Sequence, residues 1–113
     1  MMTFDEYQEK AIITAVYPEK GTGSKLALAY AALGAGNEAG EVQGKIKKYL
    51  RGDFELDEKN CLAIIDEIGD TLWYLASVAE ELGGSLDLAA ERNIAKLYDR
   101  KVRGVLKGNG DQR

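Results

Sequence analysis

Two pairs of acidic residues have the spacing needed to share a cation. Glu38 and Glu41 are three residues apart, and Glu67 and Asp70 repeat that spacing. In a helix, this spacing places the two carboxylates of each pair about 60° apart on one face. Four carboxylates brought together repel one another, so cations must neutralise them. Ligation by oxygen alone selects hard metals, and we predict Mg²⁺ first and Mn²⁺ second.

The composition removes most alternatives to a carboxylate site. The chain contains no histidine, which excludes Ser/His/Asp triads, Cys/His nucleophile pairs and histidine zinc sites. Its only cysteine, Cys61, lies in an apolar run and is predicted to be buried and inert. A net charge of −4 argues against a nucleic acid polymer as partner. Without an export signal or a long apolar run, the sequence predicts a cytoplasmic protein that binds no membrane.

Capping residues and apolar periodicity predict four helices and no strands. Pro18 limits the first helix, because the residue before a proline avoids the α conformation. The second helix is predicted to run to about Leu50 and the third to Leu82. The predicted N-caps are Thr3, Ser24 and Ser85, and the third helix is predicted to begin near Asp57.

The 113 residues are enough for one domain and too few for two. We predict an all-α four-helix bundle with antiparallel helices over residues 1–106, and a polar, disordered tail over residues 107–113. Such a thin bundle gains core by doubling, so we expect oligomerisation to complete it. Small residues at every fourth position of the second helix predict a surface for close helix packing. They are Ala32, Gly36, Gly40 and Gly44.

The second acidic pair lies in a segment, residues 64–75, that is otherwise mostly apolar. We therefore expect Glu67 and Asp70 to be partly buried. A buried acid needs a metal, a cationic side chain or a proton. The alternative to a metal site is a set of salt bridges with lysines, of which Glu41 with Lys45 is a well-spaced example.

Aromatic residues follow the second acidic pair along the same helix. Tyr74 lies one turn beyond Asp70 on the acidic face, and Trp73 lies beside it. Either ring can border a ligand pocket by stacking, with core packing as the alternative for Trp73. Further pocket candidates are Phe4, Tyr7 and Tyr30.

A glycine-rich loop over residues 21–25 invites comparison with phosphate-binding loops. It does not match the P-loop pattern and follows no predicted strand, so we reject that interpretation. The loop can still close over a substrate and bring Lys20 or Lys25 near a phosphate.

The two acidic pairs and their surroundings resemble the MazG-like, all-α nucleoside triphosphate pyrophosphohydrolases. The family signature is Glu-x-x-Glu on one helix and Glu-x-x-Asp on the next, present here at residues 38–41 and 67–70. The residues that flank the two motifs also match the family pattern, over residues 36–42 and 66–74. Residues 93–97 resemble the third conserved block of the family, so the resemblance extends over nearly the whole chain.

This resemblance implies Mg²⁺-dependent hydrolysis of a nucleoside triphosphate to the monophosphate and pyrophosphate, as in nucleotide-pool house-cleaning. A metal-activated water attacks the α-phosphorus, and metals held by the four acids orient the displacement. We select Glu41 as the proton acceptor, with Glu38 as its catalytic neighbour. In the family, the counterparts of Asn93 and Lys96 contact sugar or phosphates, and Arg100 is a further candidate. The resemblance also implies a homodimer or homotetramer.

Two alternatives to this function stay open. The first is an enzyme of the same superfamily that hydrolyses phosphoribosyl-ATP. The second is a non-catalytic helical bundle whose acids bind a cation structurally or form interface salt bridges.

Overall fold

The computed structural model describes all 113 residues and contains four helices and no strand, which confirms the all-α prediction. The helices are α1 (Phe4–Ile13), α2 (Lys25–Leu50), α3 (Glu58–Glu81) and α4 (Leu86–Arg103). The side chains of the three predicted N-caps, and of Asp57 before α3, each accept a hydrogen bond from the backbone N–H three residues ahead, at 2.8–3.1 Å. None of the helices has the length and apolar character that a bilayer crossing requires.

The two long helices, α2 and α3, form the main helix pair of the molecule. They contain 26 and 24 residues, about 39 and 36 Å of helix, and the short connection between them makes the pair antiparallel. α1 packs against α3 and α4, and α4 packs against α1 and α3 but not against α2. This hairpin brings the two acidic motifs face to face.

A buried glutamine joins three of the helices. The Gln8 amide donates to the Glu80 carboxylate at 2.7 Å and to the Gly84 carbonyl at 3.2 Å. Its oxygen accepts a hydrogen bond from the Leu86 backbone N–H at 2.9 Å. Gln8 therefore fixes α1 against the turn that connects α3 to α4.

The apolar core is small and lies between the loop that follows α1 and the first turn of α2. It consists of Ala15, Tyr17 and Ala27, with Trp73 of α3 packed against it. The Trp73 indole N–H donates to the Thr14 hydroxyl at 2.8 Å. Trp73 therefore packs in the core, as the alternative interpretation of this residue predicted.

Close packing on α2 occurs at a different glycine from those in the predicted stripe. Gly36, Gly40 and Gly44 each have open space where a side chain would be, so the stripe makes no close helix contact within the chain. That prediction is wrong for a single copy. A methyl group on Gly34 would instead overlap the ring of Tyr74, which lies directly against the backbone of α2.

The single chain exposes more surface than a compact domain of its mass. Its accessible surface is 8183 Å² and its radius of gyration is 16.8 Å. A compact monomer of 12.3 kDa exposes about 6,100 Å² and has a radius of gyration of about 13 Å. Part of the excess is one face of α3, called here the α3 apolar face. Its residues Leu62, Ile65, Ile68 and Leu75 are each about half exposed.

The last residues fold back onto α4, although the sequence suggested a disordered tail. Gly104 ends α4 with a left-handed φ of 75°, and left-handed turns at Gly108 and Gly110 return the chain. Asp111 then contacts two basic side chains of α4.

Candidate metal site

Three carboxylates meet where α2 and α3 pack together. Glu38 of α2 and Glu67 and Asp70 of α3 each place one oxygen within 4.8 Å of the others, and we call this group the acid cluster. Glu38 and Glu67 are half-buried and Asp70 is exposed, so the expected partial burial holds for Glu67 and not for Asp70. The helix spacing and the antiparallel pairing together account for the convergence.

The charges around the acid cluster are predominantly negative. Desolvation and then the charges of Asp70, Glu67 and Glu41 raise the pKa of the Glu38 carboxyl. The cation paired with the cluster is Lys45, whose ammonium lies 3.8 Å from a Glu67 oxygen. That distance allows an ion pair but is too long for a hydrogen bond. The cluster therefore has the donor set of a hard-cation site and little neutralisation from the protein.

Glu41, the fourth predicted ligand, lies outside this group of three. Its side chain is exposed, and its negative charge is one of the causes that raise the pKa of Glu38. The Glu41–Lys45 salt bridge offered as the alternative does not form, because Lys45 pairs with Glu67 instead. Glu41 is thus free to contact a water or a substrate beside the cluster.

Two tyrosines border the acid cluster. Desolvation, and after it the charges of Tyr30, Glu38 and Asp70, raise the pKa of the Tyr74 hydroxyl. Desolvation and then the charge of Asp70 raise the pKa of the Tyr7 hydroxyl on α1. Both rings were pocket candidates from the sequence. The third candidate ring on this side, Tyr30, stacks on the core residue Tyr17 at 5.6 Å.

A cavity of about 500 Å³ opens beside Tyr7. Its other aromatic wall is Phe4, its floor includes Leu72, and Asp87 supplies one acid. The remaining lining residues are Met1, Met2 and Thr3. An apolar cavity with few polar groups, adjacent to charged chemistry, is the usual form of a small-molecule site.

The basic residues predicted on α4 are engaged elsewhere. Asn93 and Lys96 line a second cavity, of about 430 Å³. Lys96 and Arg100 both bond to Asp111 of the tail rather than to the acid cluster. Within one chain, the structure therefore does not join these residues to the acids.

A separate acid, Glu81, forms a second site, and no pattern in the sequence distinguishes it from the other acids of α3. It is buried at the end of α3 and accepts hydrogen bonds from the Tyr17 hydroxyl at 2.5 Å, the Gly21 N–H at 2.8 Å and the Gly23 N–H at 2.9 Å. Burial alone would raise the pKa of the Glu81 carboxyl, but these donors outweigh it and lower the pKa. Burial and the same hydrogen bond raise the pKa of Tyr17 to about 12.

Glu81 therefore anchors the glycine-rich loop to the protein. Just before that loop, the Lys20 ammonium donates a hydrogen bond to the Ala15 carbonyl at 2.7 Å, within the segment that follows α1. In this arrangement Lys20 is not directed to a phosphate.

The fold and the acid cluster define an all-α protein with a carboxylate site on a helical hairpin. Residues 30–104 match the model of the MazG nucleotide pyrophosphohydrolase domain, and the chain belongs to this family. Membership indicates nucleotide pyrophosphohydrolase chemistry with a divalent metal, for which the acid cluster is the available site.

A phage protein is similar over the full length. The chain is 40% identical to the "Gene 37 protein" of Mycobacterium phage L5, over 99% of this chain and 100% of the phage protein. No solved structure matches the chain.

Proposed function

We propose that the protein hydrolyses a nucleoside or deoxynucleoside triphosphate to the monophosphate and pyrophosphate with Mg²⁺ as cofactor. The observation that supports this proposal is the acid cluster. Its three carboxylates come from the two signature motifs, and nearby acids raise the pKa of Glu38. Carboxylates that converge with so little neutralisation suit Mg²⁺, and Mn²⁺ is the expected substitute.

The residues present fit a bound Mg²⁺. Glu38, Glu67 and Asp70 would hold it, with Glu41 as a further ligand or as the group that accepts the proton of the attacking water. When bound, the metal would supply charge neutralisation to the phosphates and lower the pKa of a coordinated water. Glu41 suits the role of proton acceptor because it lies beside the cluster and is exposed.

The remaining parts of the substrate are assigned by chemistry. Tyr7 lines the 500 Å³ cavity and also neighbours Asp70, so a base or sugar in this cavity would lie next to the reacting phosphates. Tyr74 borders the cluster as a second wall. Asn93, Lys96 and Arg100 are the proposed contacts for the phosphates or the sugar.

The test is hydrolysis of a panel of ribo- and deoxyribonucleoside triphosphates, with phosphoribosyl-ATP included, in Mg²⁺. We expect pyrophosphate and monophosphate in equal amounts. Glu38→Gln and Asp70→Asn should each lower the rate more than about 100-fold, because each removes a charged ligand. Glu58→Gln, a change of an exposed acid at the far end of α3, is the matched control and should retain activity.

The other outcomes identify the alternatives. Release of inorganic phosphate without pyrophosphate would contradict cleavage at the α-phosphorus. Cleavage of phosphoribosyl-ATP alone would assign the other activity of the superfamily. No hydrolysis with Mg²⁺ or Mn²⁺, together with a higher melting temperature in the presence of metal, would indicate a structural cation site.

We also propose that the protein is a homodimer or homotetramer in solution. The chain exposes about 2,000 Å² more than a compact monomer of its mass, well above the roughly 800 Å² that one partner buries in a standard interface. The α3 apolar face supplies contiguous aliphatic surface of the kind that obligate interfaces bury. A second copy of this chain is the partner that these features fit.

Sedimentation equilibrium tests the assembly. Ile65→Asp places a charge in the α3 apolar face and should dissociate the oligomer, since burying an unpaired charge is costly. Val16→Asp adds the same charge at an exposed position outside the helices and should leave the mass unchanged. A wild-type protein that sediments as a monomer would reject the proposal.

A further inference from the structure

Four basic side chains share one face of α4. Arg92, Lys96, Arg100 and Arg103 fall within an arc of about 80° at the helical periodicity, and we call them the cation stripe. One acid, Asp99, lies just beside this arc and pairs with Arg103 at 2.8 Å. A surface with this charge suits an anion that carries several phosphate groups.

The tail of the same chain occupies the middle of the cation stripe. The Asp111 carboxylate lies 3.0 and 3.3 Å from the Lys96 ammonium and accepts a hydrogen bond from the Arg100 guanidinium at 3.0 Å. The Arg100 guanidinium also donates to the Asp111 carbonyl at 2.5 Å. These contacts leave the Arg100 side chain only 5% exposed. Lys96 and then Arg100 lower the pKa of the Asp111 carboxyl.

Other contacts hold the tail in the shape that presents Asp111. The Arg113 guanidinium donates to the carbonyls of Val105, Leu106 and Gly110, which closes the tail on itself. The Arg103 guanidinium donates to the Arg113 carbonyl at 2.6 Å, which ties the last residue to α4. The tail is therefore a folded turn rather than a single side-chain contact.

The other half of the cation stripe faces an open cavity. Arg92 and Asn93 line the 430 Å³ cavity together with Lys96, and Asp111 forms its edge. A polyphosphate that entered there would meet Arg92 and Asn93 first. It could reach Arg100 only by displacing the carboxylate of Asp111.

We infer that the tail is an intramolecular competitor, in which the Asp111 carboxylate takes the place of a phosphate group on Lys96 and Arg100. The inference rests on the proposed function, which assigns Lys96 and Arg100 as contacts for the phosphates or the sugar of the substrate. Only molecules with an open tail offer the full stripe, so the apparent Kd for a polyphosphate is the intrinsic Kd divided by the open fraction. Weakening the tail contact therefore tightens binding without any new contact to the ligand.

The experiment measures binding of inorganic tripolyphosphate to the full chain by titration calorimetry, with a chelator and at low ionic strength. Asp111→Asn should lower the Kd by about fivefold, the range expected for partly exposed ion pairs. Glu91→Gln is the matched control, because it removes one negative charge at an exposed position of α4 that pairs with none of the basic side chains of the stripe. It should change the Kd by less than twofold.

Three outcomes would overturn the inference. They are an unchanged or higher Kd for Asp111→Asn, an equal gain in both variants, which would show a net-charge effect, and binding that Lys96→Gln does not weaken. Because the assay contains no Mg²⁺ and breaks no bond, it gives the same answer whether or not the protein hydrolyses triphosphates. Lack of hydrolysis in the earlier panel would reject the proposed function separately.

Discussion

The acid cluster and the Glu81 anchor both depend on carboxylates from one side of α3. Glu67 of the cluster and Glu81 are about 21 Å apart along the helix. Glu81 accepts three hydrogen bonds from a neighbouring hydroxyl and two backbone N–H groups. Glu67 instead faces Glu38 and Asp70, with one ammonium 3.8 Å away. The pKa of Glu81 is lowered, whereas the pKa of Glu38 is raised.

This difference separates a structural acid from one available to a ligand. The chain itself supplies the donors that stabilise the charge of Glu81, so no external cation is needed there. At the acid cluster the chain supplies mostly further negative charge, so the deprotonated carboxylates need an external cation. Four experiments test whether the two acids differ in this way.

The largest expected effect on stability comes from removing the anchor. Glu81→Ala should lower the free energy of unfolding by roughly 3 kcal/mol, because it leaves the Gly21 and Gly23 N–H groups without their acceptor. Glu81→Gln, which keeps one acceptor oxygen, should lose about half as much. Urea unfolding gives both values. Glu58→Ala, at an exposed position, should stay within about 0.5 kcal/mol of wild type, and a Glu81→Ala variant equally close would refute the anchor.

The second effect is stabilisation by metal, which only the acid cluster should show. At a Mg²⁺ concentration one hundred times its Kd, the folded state should gain about 2.7 kcal/mol. Thermal unfolding with and without Mg²⁺ measures this gain. Glu38→Gln should remove most of it, whereas Glu81→Gln should retain it despite a lower starting stability. Equal responses from both variants would mean that the two acids do not differ in the proposed way.

The third effect perturbs one wall of the acid cluster and leaves the anchor intact. Gly34→Ala should destabilise the protein by about 2 kcal/mol, because its methyl group would displace the ring of Tyr74. It should also weaken Mg²⁺ binding, since Tyr74 borders the cluster. Gly36→Ala, where there is open space, should instead stabilise α2 by up to about 1 kcal/mol. Calorimetric melting of the two variants decides between these outcomes.

The smallest effect is the acid sensitivity of the anchor. Because the pKa of Glu81 is lowered on folding, its contribution is complete above the ordinary carboxyl pKa of 4.5 and is lost as the pH falls through the lower, folded value. The melting-temperature gap between wild type and Glu81→Gln should therefore be constant near neutral pH and narrow below about pH 4.5. A gap that widened in acid would give the pKa shift the opposite sign.

Local signals account for what the sequence predicted well. Thr3, Ser24 and Ser85 each cap a helix where the capping pattern indicated, since a cap depends on residues three positions apart. The same short-range logic located Glu38, Glu67 and Asp70, and the antiparallel hairpin brings them together.

What the sequence did not predict depends on partners far along the chain. Gln8 and Glu81 look like ordinary surface residues, and their burial follows from contacts with residues more than fifty positions away. Gly34 rather than the Gly36 stripe packs closely, because Tyr74 approaches there. Likewise, no local sequence pattern predicts that Asp111 contacts α4.

Trp73 also provides an intrinsic fluorescent probe of the core. It is the only tryptophan in the chain, and its indole bonds to Thr14, while the rings of Tyr17 and Tyr74 meet it edge-on at 6.4 and 4.9 Å. Tyr74 also borders the acid cluster, so a metal ion there would change the field around the indole. We therefore expect tryptophan fluorescence to change both when the core unfolds and when Mg²⁺ is added, with no added label.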